Sequence, residues 1–346
     1  MASARITIQD IADELGLSRN TVSKALNNTG VLADNTKDKI IQKAMEMGYH
    51  RFSYIAQETM TAAKPVNREI ALFTSSIPSN SHFASTMLDY FQNEISSLGY
   101  RLSLYLIREQ ELRSLTLPMG FNKENTDGIL IIELFDLSYS QFICSLDIPA
   151  LFVDSTVNPR EHQLDADFLY MDNATNIFLL MKELIGQQKT KFGFIGEVNH
   201  CHSFYERYQA FRHSLDSLGA AFHPEWCILE NNNTGTYQDY LKTNFNKMTA
   251  MPEVFFCAND FVAIDFLKIL EQTEYSVPNS FYLCGFDDSP ESKVITPSLT
   301  TIHIHSQVMG LSAIQLLISR IKDPEIHYRT MHTETTLKRR LSTNDQ

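Results

Sequence analysis

Residues 6–27 read ITIQDIADELGLSRNTVSKALN, and their spacing decides how the chain begins to fold. Apolar residues fall at Ile8, Ile11, Ala12 and Leu15, the i, i+3, i+4, i+7 positions of one helix face. Thr7 stands at the cap position, and Asp10, three residues on, is a short-armed partner for a capping box. Leu15-Gly16-Leu17 supplies a tight turn in which glycine takes a backbone angle closed to other residues. Ser18 then caps a second helix with Val22, Ala25 and Leu26 as its buried stripe. Two short helices joined by a glycine turn form a helix-turn-helix, whose second helix enters the major groove of DNA. A small helical core without any DNA partner would show the same apolar spacing. The exposed face favours DNA: Arg19, Asn20, Ser23, Lys24 and Asn27 are side chains that donate to guanine, pair with adenine or hold phosphates.

After a short loop, Thr36-Lys37-Asp38-Lys39-Ile40 opens a third helix that ends at Met47-Gly48-Tyr49. With residues 7–27 these pieces resemble the DNA-binding headpiece of the lactose/galactose repressor family. The resemblance implies that Arg19, Asn20 and Lys24 read bases and that Thr7, Ser23, Asn27 and Thr36 hold phosphates, with Ser18 also at the DNA. The headpiece is expected over residues 1–49 and a hinge or linker over 50–66. In the family, two hinge helices form on the operator and press an apolar side chain into its minor groove. Here the usual proline after the tyrosine is missing, the Ile55-Ala56 pair sits one residue late, and no leucine occurs between 50 and 64. The lever position falls on Thr59. Its neighbour Met60 is the better wedge between base steps, so Ala56 and Met60 are the expected hinge contacts. A plainer alternative is that Phe52, Tyr54 and Ile55 simply pack the linker.

The chain has 346 residues, enough for a headpiece plus one or two further domains with full cores. Its net charge of −12 at first argues against nucleic acid. Residues 1–64, however, hold eight Lys/Arg against seven Asp/Glu, so the acidic excess lies entirely in the rest of the chain. Such a body repels DNA everywhere except through the headpiece. Non-specific binding is then weak, and affinity rests on base contacts and dimerisation. The five cysteines are odd in number and lack C-x-x-C spacing, as expected of reduced thiols. Polar residues begin at Ser3, no signal peptide is visible, and no apolar run approaches the ~18 residues that span a bilayer. A soluble, cytoplasmic protein is expected.

From Arg68 the pattern changes to short apolar runs alternating with amphipathic stretches. Strands are expected at Ile70–Phe73, Tyr100–Ile107, Gly128–Ile132, Ala150–Asp154, Lys191–Gly196 and Val254–Ala258. Helices are expected at Phe83–Leu98, Ser203–Leu218 and after Asp260, with a last strand at Thr335–Leu341. This alternation predicts parallel sheets covered by helices on both faces, in two α/β lobes that bind ligands at the carboxyl ends of their strands.

The resemblance continues through this body, which looks like the periplasmic-binding-protein type core of the same regulators. It is carried by Asp127-Gly128-Ile129, Ile148-Pro149 leading to Asp154, Phe194-Ile195-Gly196 with Ser203 and Glu206-Arg207, Phe256 to Asp260, Gly285 to Asp288, and Pro297 to Thr301. It implies an effector-binding and dimerisation core over 67–346, with the chain crossing between lobes near residues 160, 304 and 332. Lobe one is then about 67–160 with 305–332, and lobe two about 161–304 with 333–346. The positions matching the family's effector contacts are Ser75, Phe83, Asp154, Ser203, Arg207, Tyr237, Asn259 and Asp287. Their types suit a sugar: carboxylates and amides satisfy paired hydroxyls, Arg207 donates several fixed hydrogen bonds, and an aromatic face covers a pyranose. Each has a plainer reading. Asn259-Asp260 would cap a helix, Asp288 would hold a turn, and Arg207 would pair with Glu206. His200-Cys201-His202 lacks further ligands at metal spacing and reads as a loop beside the pocket, so no metal or cofactor is expected. His303 and His305 read as a solvated strand face rather than a pH sensor.

The function expected is a transcriptional regulator, a repressor of carbohydrate-utilisation genes, controlled by a sugar or sugar phosphate between the lobes. A phosphocarrier protein or a nucleotide is the alternative effector, although no aromatic pair for base stacking is obvious. A sugar-metabolising enzyme fused to a headpiece is disfavoured, since no G-x-x-x-x-G-K-[ST] loop or nucleophile–base pair stands out. One headpiece covers a half-site, so a homodimer on a palindromic operator is expected, without a leucine heptad tail to make a tetramer.

Overall fold

The structure is a computed structural model that describes residues 7–26, 36, 39–40, 43–44, 47, 68–77, 82–230 and 235–344. The chain divides into two compact units, Met1–Val66 and Asn67–Gln346.

In the first unit, α1 (Ile8–Leu15) and α2 (Arg19–Leu26) form as their spacing predicts. The capping box at the start of α1 is complete: Thr7 Oγ1 accepts from Asp10 N at 3.3 Å, and Thr7 N donates to Asp10 Oδ2 at 2.7 Å. Gly16 ends α1 at φ +62°, and the turn closes when Leu17 N donates to Ala12 O at 2.9 Å. Ser18 Oγ accepts from Thr21 N at 3.1 Å and caps α2. Ile11, Ala12, Val22, Ala25 and Leu26 are buried together with Ile40 and Ala44.

The second unit is built on two parallel sheets. The first has six strands in the order β10-β5-β4-β3-β1-β2: β1 Arg68–Thr74, β2 Tyr100–Leu106, β3 Thr126–Ile132, β4 Ala150–Val153, β5 Asp167–Met171 and β10 Thr330–Thr333. The second has three, in the order β6 (Phe192–Ile195), β7 (Val254–Cys257), β8 (Tyr282–Cys284). All these pairings are parallel, and β3 to β7 are near-continuous apolar runs because helices cover both faces. Helices His82–Ser97 and Ser306–Lys322 pack together on the first sheet. Helices Thr175–Gly186 and His202–Ser217 pair with each other, while Tyr237–Asn246 and Asp260–Leu270 pack together in a separate cluster with Phe255 and Phe266. An antiparallel pair joins β9 (Thr301–Ile304) to β11 (Thr335–Lys338).

The first lobe crossing differs from expectation. Residues 161–171 belong to lobe one, because β5 pairs with β4 and β10 in the first sheet, so the crossing expected near 160 falls after Met171. The strand is hard to see in sequence because Asp167 lies within it. That carboxylate is fully buried and neutralised by Arg320 Nη2 at 3.0 Å and Arg329 Nη2 at 2.8 Å. The expected solvated histidine face is also replaced. His303 Nδ1 lies 3.0 Å from Asp288 Oδ2, His305 Nε2 lies 2.8 Å from Thr336 Oγ1, and the two rings touch edge to face.

Candidate functional site

On the headpiece, Arg19, Asn20 and Lys24 stand exposed along α2, Thr7 and Ser18 are exposed at the two helix starts, and Ser23 and Thr36 are half-buried. The expected contacts Asn27, Ala56 and Met60, with the hinge, lie outside the described residues.

The core has a cleft of about 330 Å³ at the carboxyl ends of its strands. Ser75 and Ser76 follow β1, Glu133 and Phe135 follow β3, Asp154 follows β4, and Met171 ends β5. The other wall carries His200, Cys201, Ser203, Phe204 and Arg207 beyond β6, Asn259 and Phe261 after β7, and Asp287 after β8. Seven of the eight residues expected from sequence thus come together: Ser75, Phe83, Asp154, Ser203, Arg207, Asn259 and Asp287. Tyr237 is set apart. It opens the Tyr237–Asn246 helix and lines an adjoining hollow of about 180 Å³ with Glu197, Val262 and Asp265. The hollow and the cleft share His200, Phe204, Asn259 and Phe261.

Arg207 is the fixed point of the wall. It is 3% exposed, Nε donates to Asn173 Oδ1 at 2.9 Å, and Nη1 donates to Ala258 O at 2.7 Å. Nη1 also lies 3.4 Å from Asp287 Oδ1, and the guanidinium stacks on Phe286 at 3.7 Å. Its expected surface partner, Glu206, turns elsewhere. Glu206 accepts from Asn173 Nδ2 at 2.9 Å and lies within 3.4 Å of His202 and 3.6 Å of His332. Burial alone would raise the Glu206 carboxyl, but these hydrogen bonds outweigh it and hold it well below the usual range. Its hydrogen bond and charge push His332 up in turn. Since His332 is on β10 and Glu206 on the His202–Ser217 helix, the pair ties the two lobes together.

Asp154 makes a second tie. Its Oδ1 accepts from Ser203 N at 3.1 Å, and His202 N donates to Ser155 O at 2.8 Å, so the helix start is docked on the first lobe. Ser203 Oγ reaches Met171 Sδ at 3.3 Å. Asn259 caps its helix, accepting from Val262 N at 2.9 Å, while its side chain still lines the cleft. Burial pushes the Asp287 carboxyl up to about 7, and Asp260, buried behind it, up to about 6. Three cleft carboxylates have positive φ: Glu133 at 53°, Asp154 at 59° and Asp287 at 115°. Left-handed backbone in a residue with a side chain costs on the order of 1 kcal/mol or more and is concentrated at functional sites.

Sequence reasoning missed Ser76, Glu133, Phe135, Met171, Phe204 and Phe261 as cleft residues, while His200 and Cys201 lie in the loop it placed at the pocket. The signal for Glu133 was present, since it directly follows the apolar run Gly128–Ile132, where a strand-end rule looks for ligands. Phe204 and Phe261 read as ordinary helix residues. Among the described residues, no group of three or more His, Cys, Asp or Glu side chains is placed to hold a metal ion.

Comparison with known proteins places both units. Residues 7–51 match the model of bacterial regulatory proteins of the lacI family, and residues 181–343 match the periplasmic binding protein-like domain. Relatives include the HTH-type transcriptional repressor PurR of Vibrio campbellii (strain ATCC BAA-1116), 25% identical over 95% of this chain and 96% of that one. The HTH-type transcriptional regulator GalR of Lacticaseibacillus casei is 26% identical, over 97% of this chain and 99% of its own. Among solved structures, a complex of the regulator CelR with cellobiose superposes with a TM-score of 0.68 at 20% identity, covering 98% of this chain and all of that one. The lac repressor dimer bound to operator and the anti-inducer ONPF gives 0.64 at 16% identity, over 98% and 99%. A helix-turn-helix headpiece followed by a two-lobed core with a ligand-sized cleft defines a DNA-binding transcription regulator of the effector-binding kind. The headpiece is that of the lacI family of bacterial regulatory proteins, and the core carries the periplasmic binding protein-like domain.

Proposed function

We propose that this regulator is a repressor of carbohydrate-utilisation genes, and that an uncharged or phosphorylated sugar bound in the core cleft sets its affinity for a palindromic operator. The observation that carries the reading is the convergence of Asp154, Asn259, Asp287 and Arg207 on one cleft walled by Phe83, Phe135, Phe204 and Phe261. Carboxylates and an amide accept and donate to adjacent hydroxyls, and ring faces cover the apolar side of a pyranose. Two solved structures of this fold hold a sugar, cellobiose in one and ribose in the other, which accords with this chemistry. Because Asp154 and Glu206 tie the lobes beside the cleft, a ligand that competes for or strengthens these ties alters lobe closure. A coupling of ~1–3 kcal/mol is typical of such devices.

On the DNA side, the reading assigns base contacts to Arg19, Asn20 and Lys24 and phosphate contacts to Thr7, Ser18, Ser23, Asn27 and Thr36, with Ala56 and Met60 at the hinge. The working unit is a cytoplasmic homodimer whose two headpieces meet two half-sites. The test is fluorescence anisotropy of the full chain on a palindromic operator, titrated with mono- and disaccharides, their phosphates, and purine bases and nucleosides. A tenfold shift in operator affinity with one sugar is expected, and its direction separates inducer from corepressor. Tight DNA binding that no sugar alters refutes the effector assignment. The four phenylalanines also suit a flat base, so a purine or nucleoside effector is the second reading, and it is scored in the same titration.

A further inference from the structure

This inference rests on the sugar reading and narrows it. We propose that the cleft selects an uncharged ligand over its phosphorylated counterpart, with Glu133 as the specificity-determining residue.

Among the described residues, the cleft is lined by three carboxylates, Glu133, Asp154 and Asp287, against one guanidinium, Arg207, and by no lysine. That guanidinium is largely committed, with only Nη2 left uncommitted by these contacts. Nε is committed to Asn173, Nη1 to Ala258 O and Asp287, and its face to Phe286.

Helix starts ordinarily welcome phosphates, because their first N–H groups are unpaired. Here two of the leading donors of each helix are spent. At the His202–Ser217 helix, His202 N donates to Ser155 O and Ser203 N to the Asp154 carboxylate. At the Asp260–Leu270 helix, Asp260 N donates to Phe286 O and Val262 N to Asn259 Oδ1. A phosphate entering the cleft therefore meets Glu133, Asp154 and Asp287 with one guanidinium, already paired with Asp287, to offset them. Repulsion between like charges a few ångströms apart is strong where water is largely displaced.

Glu133 makes the difference between a balanced cleft and an acidic one. Asp154 is consumed in docking the helix start, and Asp287 faces Arg207. Among the described residues, Glu133 forms no ion pair. It leaves β3 at φ 53°, its Oε2 accepts from Ser76 Oγ at 2.6 Å, and its backbone carbonyl accepts from Ser75 Oγ. The held carboxylate accepts hydrogen bonds and donates none, so a ligand hydroxyl satisfies it and a phosphate oxygen does not.

The test is isothermal titration of the full chain, as wild type, Glu133→Gln and Glu133→Lys, with three matched pairs: glucose and glucose 6-phosphate, ribose and ribose 5-phosphate, adenosine and AMP. Operator binding by each variant serves as the check on folding. For whichever pair binds, the uncharged member is expected to bind at least tenfold tighter to wild type. Glu133→Gln should shrink that ratio at least threefold, and Glu133→Lys should shrink it further or invert it. A phosphorylated member that matches or beats its partner overturns the proposal. A ratio that both variants leave unchanged overturns the role of Glu133. If adenosine binds over AMP while neither sugar binds, the sugar reading falls and the charge selection stands. If no member of any pair binds, both fall.

Discussion

Replacing Asp287 by asparagine tests the electrostatics of the cleft in the absence of any ligand. Burial pushes this carboxyl up to about 7, Arg207 at 3.4 Å opposes the shift, and Asp260 and Asp154 add to it. In the unfolded chain the group ionises near its ordinary value of 3.8. Between those limits the folded state holds a proton that the unfolded state has released, so this group's contribution to stability falls as pH rises from about 4 to about 7. The span from 3.8 to about 7, at ~1.4 kcal/mol per pH unit, sets a ceiling of ~4 kcal/mol. The side chain is still 17% exposed and keeps its ion pair, so about half of that, ~2 kcal/mol, is the expected effect. The assay is urea unfolding of ligand-free wild type and Asp287→Asn at pH 5, 6, 7 and 8. Taking the difference between the two proteins largely removes His332, whose raised pKa gives a stability loss of the same sign on the alkaline side. Asp167 and Glu206, both held low, lose their contributions only at more acidic pH. The interval from pH 8 to pH 5 covers about two of those pH units, so wild type should gain ~1.3 kcal/mol relative to the variant across it. A difference that is flat with pH, or that grows toward pH 8, would show that Asp287 does not carry the burden assigned to it.

Other perturbations separate the headpiece from the core. Ile11→Ala removes a fully buried side chain from the small helical cluster and should cost ~2–5 kcal/mol there. Operator binding should disappear while the core's own unfolding transition, followed by near-ultraviolet dichroism, stays in place. Arg19→Ala should weaken operator binding by ~1–3 kcal/mol if the side chain reads a base; anisotropy on a scrambled duplex is the control, and an equal loss there would reduce the role to phosphate contact. Arg320→Ala leaves the buried Asp167 with Arg329 alone and should destabilise the core by ~3 kcal/mol in urea. Gly193→Ala should cost ~1–3 kcal/mol, because a Cβ would stand 2.4 Å from the carbonyl oxygen of Trp226 and backbone must move to admit it. An unchanged midpoint for that variant would mean β6 is looser than its packing indicates.

The headpiece was legible from sequence because everything that shapes it is local. A period of 3.6, a cap at Thr7, a left-handed glycine at position 16 and a cap at Ser18 all act within a few residues of one another. The buried and exposed faces of α2 follow from that register alone. The core strands β1, β3, β4, β6 and β7 were legible for a related reason: a strand buried on both faces must be apolar throughout. Seven of the eight expected cleft positions also came together, because loops at the carboxyl ends of parallel strands have to converge.

What sequence left open depends on partners far along the chain. The β5 strand was not expected, because Asp167 opens it and its neutralising arginines lie 153 and 162 residues away. Glu206 pairs with His332 across the lobes instead of with its neighbour Arg207, which is drawn inward by Asn173 and Asp287. Glu133 faces the cleft because the backbone turns at φ 53° there, an angle that residue type does not announce. Local pattern and periodicity therefore determined the two headpiece helices and the apolar core strands β1, β3, β4, β6 and β7. Which charges meet, and so what the cleft accepts, was decided only by the tertiary structure, because a buried charge is stable only beside a partner and nothing local to it says which partner the fold will bring.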